Sequence, residues 1–424
     1  MTPLASYLEN FRLRSETTLF ERDDTQEPTV VDSVSCAGMA VPRFTNEFWT
    51  ARQRQSHSLQ EVSYRACFKA ELPRFFIELL TQPGDLVYDP FMGRGTTLIE
   101  AALLGRRVAG NDINPLSRIL VEPRLNPPDI HQVGARLDSI PWDSGEEADF
   151  DLSMFFSPAT QRMIFALRTY LADRKQANAE DSVDKWIRMV ATNRLTGHSP
   201  GFFSVYTMPP NQAVSAESQK KINEARGQTP PDRDVAAIIL KKSRALLKDL
   251  SADDFSNLQA AAPRFFNCPA ETRNGLEDNA VDLVVTSPPF LDIVQYADDN
   301  WLRCWFNGID AGEVVSRMTI SRTVAQWSEV MGKALAELHR VLRPGGWVAF
   351  EVGEVRKKSV MLDEVIAPLG VSVGFACRGI VVNQQDFTKT ANCWGVKNNS
   401  HGTNTNRIVL FQKTEQPSMN ADER

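Results

Sequence analysis

Residues 86–112 alternate in a way that few folds accommodate. Leu86-Val-Tyr88 is a short apolar run, and Asp89-Pro-Phe-Met-Gly-Arg-Gly-Thr-Thr97 follows it with two closely spaced glycines. Leu98-Ile-Glu-Ala-Ala-Leu-Leu104 then has helical character, Gly105 stops it, and Arg107-Val-Ala109 is a second apolar run ending at Gly110-Asn-Asp112. Strand, glycine turn, helix and strand make a βαβ unit of ordinary length. Such a crossover leaves its two strands parallel in one sheet. Gly93 and Gly95 let the backbone turn tightly and approach a ligand at the carboxyl end of the first strand.

The alternation continues along the chain. Glu71–Leu80 has the pattern of an amphipathic helix, and strands are expected at Arg264–Phe266, Val281–Val285, Trp347–Val352 and Arg407–Gln412, with a helix over Val324–Val341. The fold class is therefore α/β, a doubly wound and mainly parallel sheet whose last strand is reversed. Between Leu125 and Ala262 the pattern changes to helical runs at 160–171, 184–192 and 235–250, joined by Pro-, Gly- and Ser-rich sequence. The expected organisation is a catalytic domain over 41–125 and 263–413, a mainly helical insert over 126–262, a mobile extension over 1–40 and a polar tail over 414–424.

Composition narrows the function classes. No apolar run approaches the roughly 18 residues that cross a bilayer, and the start of the chain lacks a basic segment followed by an apolar one, so a cytoplasmic location without membrane attachment is expected. Six scattered cysteines without a CxxC pair and only 5 histidines argue against a zinc site or a disulfide framework, so no metal is expected. The net charge of −6 draws no nucleic acid by itself, so DNA binding would need local basic clusters.

A lone GxG is an ordinary turn. Here Asp112 follows at the tip of the next strand, where a carboxylate can take both hydroxyls of a ribose. Leu98 stands where the third glycine of the dinucleotide fingerprint would be, so S-adenosyl-L-methionine fits better than NAD. A second constellation, Thr286-Ser-Pro-Pro-Phe290, comes directly after the strand-like Val281-Asp-Leu-Val-Val285. It has what is needed to grip a planar exocyclic amine. The lone pair of such an amine is delocalised into the ring. Ser287 through its hydroxyl oxygen and Pro288 through its carbonyl would hold both amine hydrogens, aiming the lone pair at a methyl sulfonium. Phe290 would stack on the base, and Pro289 would fix the loop. A proline-capped strand end is the bland alternative, and the presence of both constellations in one chain argues against it.

Together these segments resemble the amino-methyltransferases that modify exocyclic amines in DNA. Asp89–Thr97 is similar to their cofactor motif, Asn111-Asp-Ile-Asn-Pro115 to the acidic motif that follows it, and Ser63–Pro73 to the segment that packs on the methionine end. The resemblance implies S-adenosyl-L-methionine as cofactor, with Phe68, Asp89, Pro90, Phe91, Gly93, Gly95, Thr96, Thr97, Asp112 and Asn114 around it. One position departs: where the family has Gly-Asp for the cofactor adenine, this chain has Asn267-Cys268-Pro269. Asn267 would then bond the adenine amine, and Cys268 either packs on its ring or is a small buried residue. Ser-Pro-Pro resembles the cytosine-N4 enzymes, whereas adenine-N6 enzymes carry Asp or Asn first. Methylation at carbon 5 would need a Pro-Cys loop, and the sequence contains no Pro-Cys dipeptide.

The expected partner is double-stranded DNA with its target base flipped out, and a cognate restriction endonuclease would complete a restriction-modification pair. The insert is the candidate target-recognition region, with basic residues at Lys220, Lys221, Arg226, Lys241, Lys242, Arg244 and Lys248 and a basic-aromatic stretch at Asn193–Phe203. A solvated helix face is the favoured account of the lysine run. Arg52, Arg54, His57, Arg65 and Lys69 form a second basic cluster that either faces the DNA or caps the sheet, and Asn392–Thr403 reads as a DNA-facing loop. Trp301, Trp305, Tyr296 and Asp292 either line a base pocket or pack a helix. The rival readings are an adenine-N6 enzyme, an RNA base methyltransferase, protein glutamine methylation, for which Asn-Pro-Pro-Tyr is usual, and a catalytically silent DNA-binding subunit.

Overall fold

A computed structural model describes residues 3–13, 28–49, 56–64, 67–145, 147–207, 214–289, 296–318, 321, 323–355, 360–384 and 405–415. Among these the strands are β1 (Val30–Cys36), β2 (Met39–Asn46), β3 (Leu86–Asp89), β4 (Arg107–Asn111), β5 (Arg264–Phe266), β6 (Val281–Thr286), β7 (Leu342–Val352), β8 (Glu354–Val355), β9 (Val360–Met361), β10 (Phe375–Gln384) and β11 (Thr405–Lys413). Nine of them form one sheet in the order β1-β2-β10-β11-β7-β6-β3-β4-β5, and β8 pairs with β9 apart from it.

From β7 to β5 every neighbouring pair is parallel. The reversed strand is β11, antiparallel to both β7 and β10. From β3 the chain winds outward to β4 and β5, whereas β6 leads the other way to β7. The direction of winding therefore switches between β3 and β6, and a crevice opens there at their carboxyl ends. Both sequence constellations emerge into it, Asp89 from β3 and Thr286 from β6.

The helices are α1 (Pro3–Glu9), α2 (Glu71–Leu80), α3 (Thr96–Leu103), α4 (Pro115–Leu125), α5 (Ile130–Ser139), α6 (Pro158–Gln176), α7 (Ser182–Arg194), α8 (Ala216–Arg226), α9 (Val235–Leu247), α10 (Ala252–Ala260), α11 (Tyr296–Phe306), α12 (Ala311–Arg317), α13 (Val324–Val341) and α14 (Leu362–Ser372). Side chains alternate across the sheet. Val87, Val108, Leu283 and Val285 enter one apolar cluster with α2, α3 and α4, while Tyr88, Ala109 and Val284 enter the other with α13 and α14. Buried on both faces, β3 and β6 have to be apolar throughout, as central parallel strands are.

The insert, α5 to α10, shares the first cluster with the sheet and does not form a separate core. At its centre α7 is buried nearly all round. The fully buried Asp184 carboxylate is compensated there by Arg136 and by Arg174, the latter at 2.8 Å. Residues 30–40 differ from the expectation of a mobile extension. They belong to the β1–β2 hairpin, which lengthens the sheet through parallel pairing of β2 with β10. Sparse apolar periodicity there reflects an edge hairpin that buries few side chains. No described helix is long and apolar enough to cross a membrane.

Candidate active site

The glycine turn between β3 and α3 is held in a shape that few sequences allow. Gly93 and Gly95 have φ of 48° and 75°, in the left-handed region, and a Cβ on Gly95 would collide with Val121 of α4. Positive φ and that collision together should make Gly95→Ala cost about 2–4 kcal/mol. A fall in chemical-denaturation midpoint with unchanged slope is the expected measurement, and an unaltered midpoint would refute the packing argument. Gly95 also leaves the amino end of α3 without a side-chain cap.

Asp112 lies at the end of β4 and fastens this turn. Its Oδ2 accepts from the Gly93 N–H at 2.9 Å and its Oδ1 from the Asn114 N–H at 2.9 Å. Burial pushes its carboxyl above the usual range, and these bonds oppose that shift. Asn114 caps α4 through the Leu116 N–H and donates to the Tyr64 hydroxyl at 3.2 Å. The Tyr64 ring stands over Gly93, within 3.6 Å of where a Cβ would sit.

Arg94 draws the Ser63–Pro73 segment against the turn, donating to the carbonyls of Gln60 and Val62 at 3.1 and 2.9 Å and more weakly to that of Phe68. The half-buried Phe68 ring packs on the main cluster. Arg124 is fully buried, donates to the carbonyls of Leu120, Leu59 and Arg94, and is pulled down by burial to about 9. Thr96 accepts from the Arg94 Nε at 3.1 Å, and Thr97 donates to the Val285 carbonyl at 3.1 Å, so both hydroxyls have partners within the protein. Phe91 packs on the second cluster, and Pro90 offers its carbonyl to Asn111.

On the same side of the crevice, after β5, the Asn267 amide donates to the Asp112 carbonyl at 2.7 Å and its oxygen accepts from Arg317 at 3.4 Å. Cys268 is half-buried, and its backbone is bonded in both directions to the Asn111 side chain. The same side chain holds Pro90, so Asn111 locks the glycine turn to the 267–269 segment.

The loop after β6 meets this pocket directly. The Thr286 hydroxyl donates to Asp89 Oδ1 at 2.6 Å, and the Trp327 indole donates to the Pro289 carbonyl at 3.0 Å. Ser287 is half-buried and its hydroxyl faces the Glu351 carboxyl, which accepts from the Asn406 amide at 2.7 Å. Burial raises Glu351 above the usual carboxylate range, and Ser287 and Asn406 offset only part of that shift. Pro288 is buried and Pro289 exposed; Phe290 and Asp292, like the side chain of Tyr296, lie outside the described residues.

Residues 25–118 match the family model described as DNA methylase, N6_N4_Mtase. The match takes in the glycine turn and Asp112 and ends before the Thr286 loop. A Type II methyltransferase of Methanocaldococcus jannaschii, M.MjaII, is 32% identical over 82 residues, 19% of this chain and 16% of that protein. M.MvaI of Kocuria varians, also a Type II methyltransferase, is 42% identical over 67 residues, 15% of each chain. The chain thus matches about a sixth of the length of these relatives. Among solved structures, a TehB-like SAM-dependent methyltransferase of Corynebacterium glutamicum aligns over 81% of this chain and 87% of its own at 10% identity and a TM-score of 0.30. An rRNA methyltransferase of Streptomyces viridochromogenes aligns over 84% and 89% at 12% identity and 0.31.

Two residues that sequence reasoning passed over, Trp327 and Glu351, stand in this site, and Tyr64 and Asn111, which lie in the quoted segments, take contacts the sequence did not assign to them. Glu351 had a readable signal, a lone acid in the otherwise apolar run Trp347–Val352. Trp327 had none, because only the packing of α13 brings it to the loop. Trp301 and Trp305 pack rather than line a pocket, with ring centroids 5.8 and 5.7 Å from Phe150 of the insert.

Much of the Asn193–Phe203 stretch is folded inward. Asn193 bonds the Ser63 backbone, Arg194 lies over the Phe202 ring at 4.1 Å, and Phe203 is fully buried. Lys220, Lys242 and Lys248 have acidic neighbours, while Lys221, Lys241 and Arg244 are exposed. His57 bonds the Leu59 N–H and faces Asp254; Arg52, Arg54, Arg65 and Asn392–Thr403 lie outside the described residues. A cavity of about 460 Å³ opens in the insert beside Phe150, Gln161 and Arg162, and neither constellation lines it. Among the described residues no group of three or more His, Cys, Asp or Glu side chains is arranged to hold a metal ion.

Proposed function

We propose that this chain is a site-specific DNA methyltransferase that moves a methyl group from S-adenosyl-L-methionine to the N4 amine of a flipped-out cytosine in duplex DNA. The observation that carries the reading is the 2.6 Å bond from Thr286 to Asp89, which joins the amine-gripping loop to the glycine turn in one crevice. The partial matches to Type II methyltransferases support the methyl-transferring part of this reading, and the choice of cytosine rests on Ser287.

The pocket has the donors and acceptors that this cofactor calls for. Asp112 retains lone pairs for two ribose hydroxyls beyond its two backbone bonds. The uncapped amino end of α3 offers N–H groups to an amino-acid carboxylate, and the glycines admit the ligand backbone. Asn267 and Cys268 are the side chains nearest the place of the adenine in this reading, and Phe68, Phe91 and Tyr64 supply apolar walls. When bound, S-adenosyl-L-methionine supplies a methyl group on a positively charged sulfur, a group that an amine nitrogen can displace.

The residues of the chain prepare that nitrogen. Ser287 faces Glu351, which can take its proton and so leave Oγ lone pairs for one amine hydrogen, while the Pro288 carbonyl takes the other. With its methyl donor bound, the amine nitrogen would take the methyl group and shed one proton, for which Ser287 and Glu351 would provide a route. Trp327, by holding the Pro289 carbonyl, keeps the loop in place to receive the base. Serine at position 287 supports cytosine over adenine, and a restriction endonuclease cutting the same unmethylated site would be the expected partner.

Unmethylated duplex DNA incubated with labelled donor and digested to nucleosides tests the reading. Label is expected in N4-methylcytosine. Label in N6-methyladenine would move the target to adenine, and label in RNA or protein with none in DNA would overturn the substrate class.

A further inference from the structure

Asn111 of β4 pairs with Phe266 of β5 in parallel register, so Asp112 and Asn267 stand side by side where the two strands end. The Asn267 side chain is held at both of its polar atoms. Its Nδ2 donates to the Asp112 main-chain carbonyl at 2.7 Å. Its Oδ1 accepts from the Arg317 guanidinium at 3.4 Å, and a second N–H of the same guanidinium donates to the Asn267 main-chain carbonyl at 2.8 Å. Arg317 is the last residue of α12, an element that follows the loop after β6 in the chain.

These neighbours fix which way round the carboxamide lies. A carbonyl can only accept, and a guanidinium can only donate. Turning the amide over would set its oxygen against the Asp112 carbonyl and its NH₂ against the guanidinium, so both bonds would be lost. The amide therefore offers its second Oδ1 lone pair and its second Nδ2 hydrogen in one fixed order. Both Asn267 and Arg317 are exposed, so this edge is open to a ligand.

We propose, resting on the S-adenosyl-L-methionine reading of this pocket, that Arg317 is a positioning residue that locks the Asn267 carboxamide to recognise a 6-aminopurine and reject a 6-oxopurine. With the ribose on Asp112 and the amino-acid end at α3, the purine lies outward, past the end of β4 and at the end of β5. Adenine presents along one edge a hydrogen on its 6-amine and a lone pair on N1. Oδ1 accepts the first, and the Nδ2 hydrogen goes to the second. Hypoxanthine has the reverse order, an oxygen at position 6 and a hydrogen on N1, and meets the locked amide acceptor to acceptor and donor to donor. A carboxylate at this position would accept from the amine but have no hydrogen for N1, and its charge would face the Asp112 carbonyl. Arg317 acts on the purine through Asn267, and what it sets is the choice between purines.

Calorimetric titration of the full chain with S-adenosyl-L-homocysteine, which carries the same purine and no transferable methyl group, and with its deaminated counterpart S-inosyl-L-homocysteine tests this. Wild type should prefer the adenine ligand roughly 10–100-fold, the worth of one bidentate pair on a base edge. Arg317→Met keeps the length of the side chain and removes every donor. It should lower that preference about five- to tenfold, because the amide can then turn over for the inosyl ligand. Arg317→Lys, with a single donor group, should fall between the two. Asn267→Ala should bring the two ligands to within about threefold of each other. Both positions are exposed, so neither substitution opens a core. A purely structural role for Arg317 would weaken both ligands alike and leave their ratio untouched. An unchanged ratio in Arg317→Met, or a wild type that binds the two ligands equally, would overturn the proposal and leave the cofactor reading standing. A wild type that binds neither ligand would overturn both.

Discussion

Ser287→Ala is expected to lower kcat for base methylation about 10²–10³-fold, the usual effect of deleting one preorganised polar contact to a reacting group. The cofactor should still bind within a few-fold of wild type, because Ser287 stands on the loop after β6, beside Glu351, and not in the glycine turn. Two losses combine in the variant. The amine keeps one of its two acceptors, so its nitrogen stays closer to planar, and the Glu351 carboxyl is left with Asn406 alone in a buried place. Glu351→Gln should lower kcat less, since the amide oxygen can still accept from Ser287 while the route for the departing proton is lost. Single-turnover rates with saturating cofactor would measure both. Full activity in Ser287→Ala would sink the amine-holding role.

Asp112→Ala is expected to weaken S-adenosyl-L-methionine binding on the order of 10²-fold, measured by calorimetry. The figure corresponds to losing roughly 3 kcal/mol, about the worth of one or two hydrogen bonds to a charged group. Part of the loss would be indirect, since the Asp112 carboxylate also holds the N–H groups of Gly93 and Asn114. Asp112→Asn separates the two contributions. Its oxygen can keep one of those backbone bonds while the charge is gone, so it should fall between wild type and alanine. A Kd within threefold of wild type in the alanine variant would remove Asp112 from the ribose site.

The elements around the crevice were legible because each has a local signature. Glu71–Leu80 is a helix with the expected ends, and Arg264–Phe266 and Val324–Val341 likewise match. Other segments lacked such a signature. β10 was missed altogether because Arg378 and Gly379 interrupt its apolar run, and the strand carries a register shift between Cys377 and Gly379. β7 begins at Leu342, five residues ahead of the apolar run that marks it, with Leu342 paired to Val281. Trp301 and Trp305 could not be assigned from spacing alone, because their neighbour Phe150 belongs to the insert and lies far away in the chain.

By itself the sequence determined the fold class, the glycine turn and the proline-stiffened loop after β6, since all three rest on short-range chemistry: apolar alternation, residues that tolerate positive φ, and a stiff Ser-Pro-Pro turn. The tertiary structure decided what those pieces do to one another. Strand order places β3 beside β6 and so brings Asp89 to Thr286, 197 residues away in the chain. Packing of α13 carries Trp327 to Pro289, and pairing of β7 with β11 sets Glu351 and Asn406 behind Ser287. Each of these contacts depends on long-range strand pairing and burial, which a local pattern of residue types does not encode.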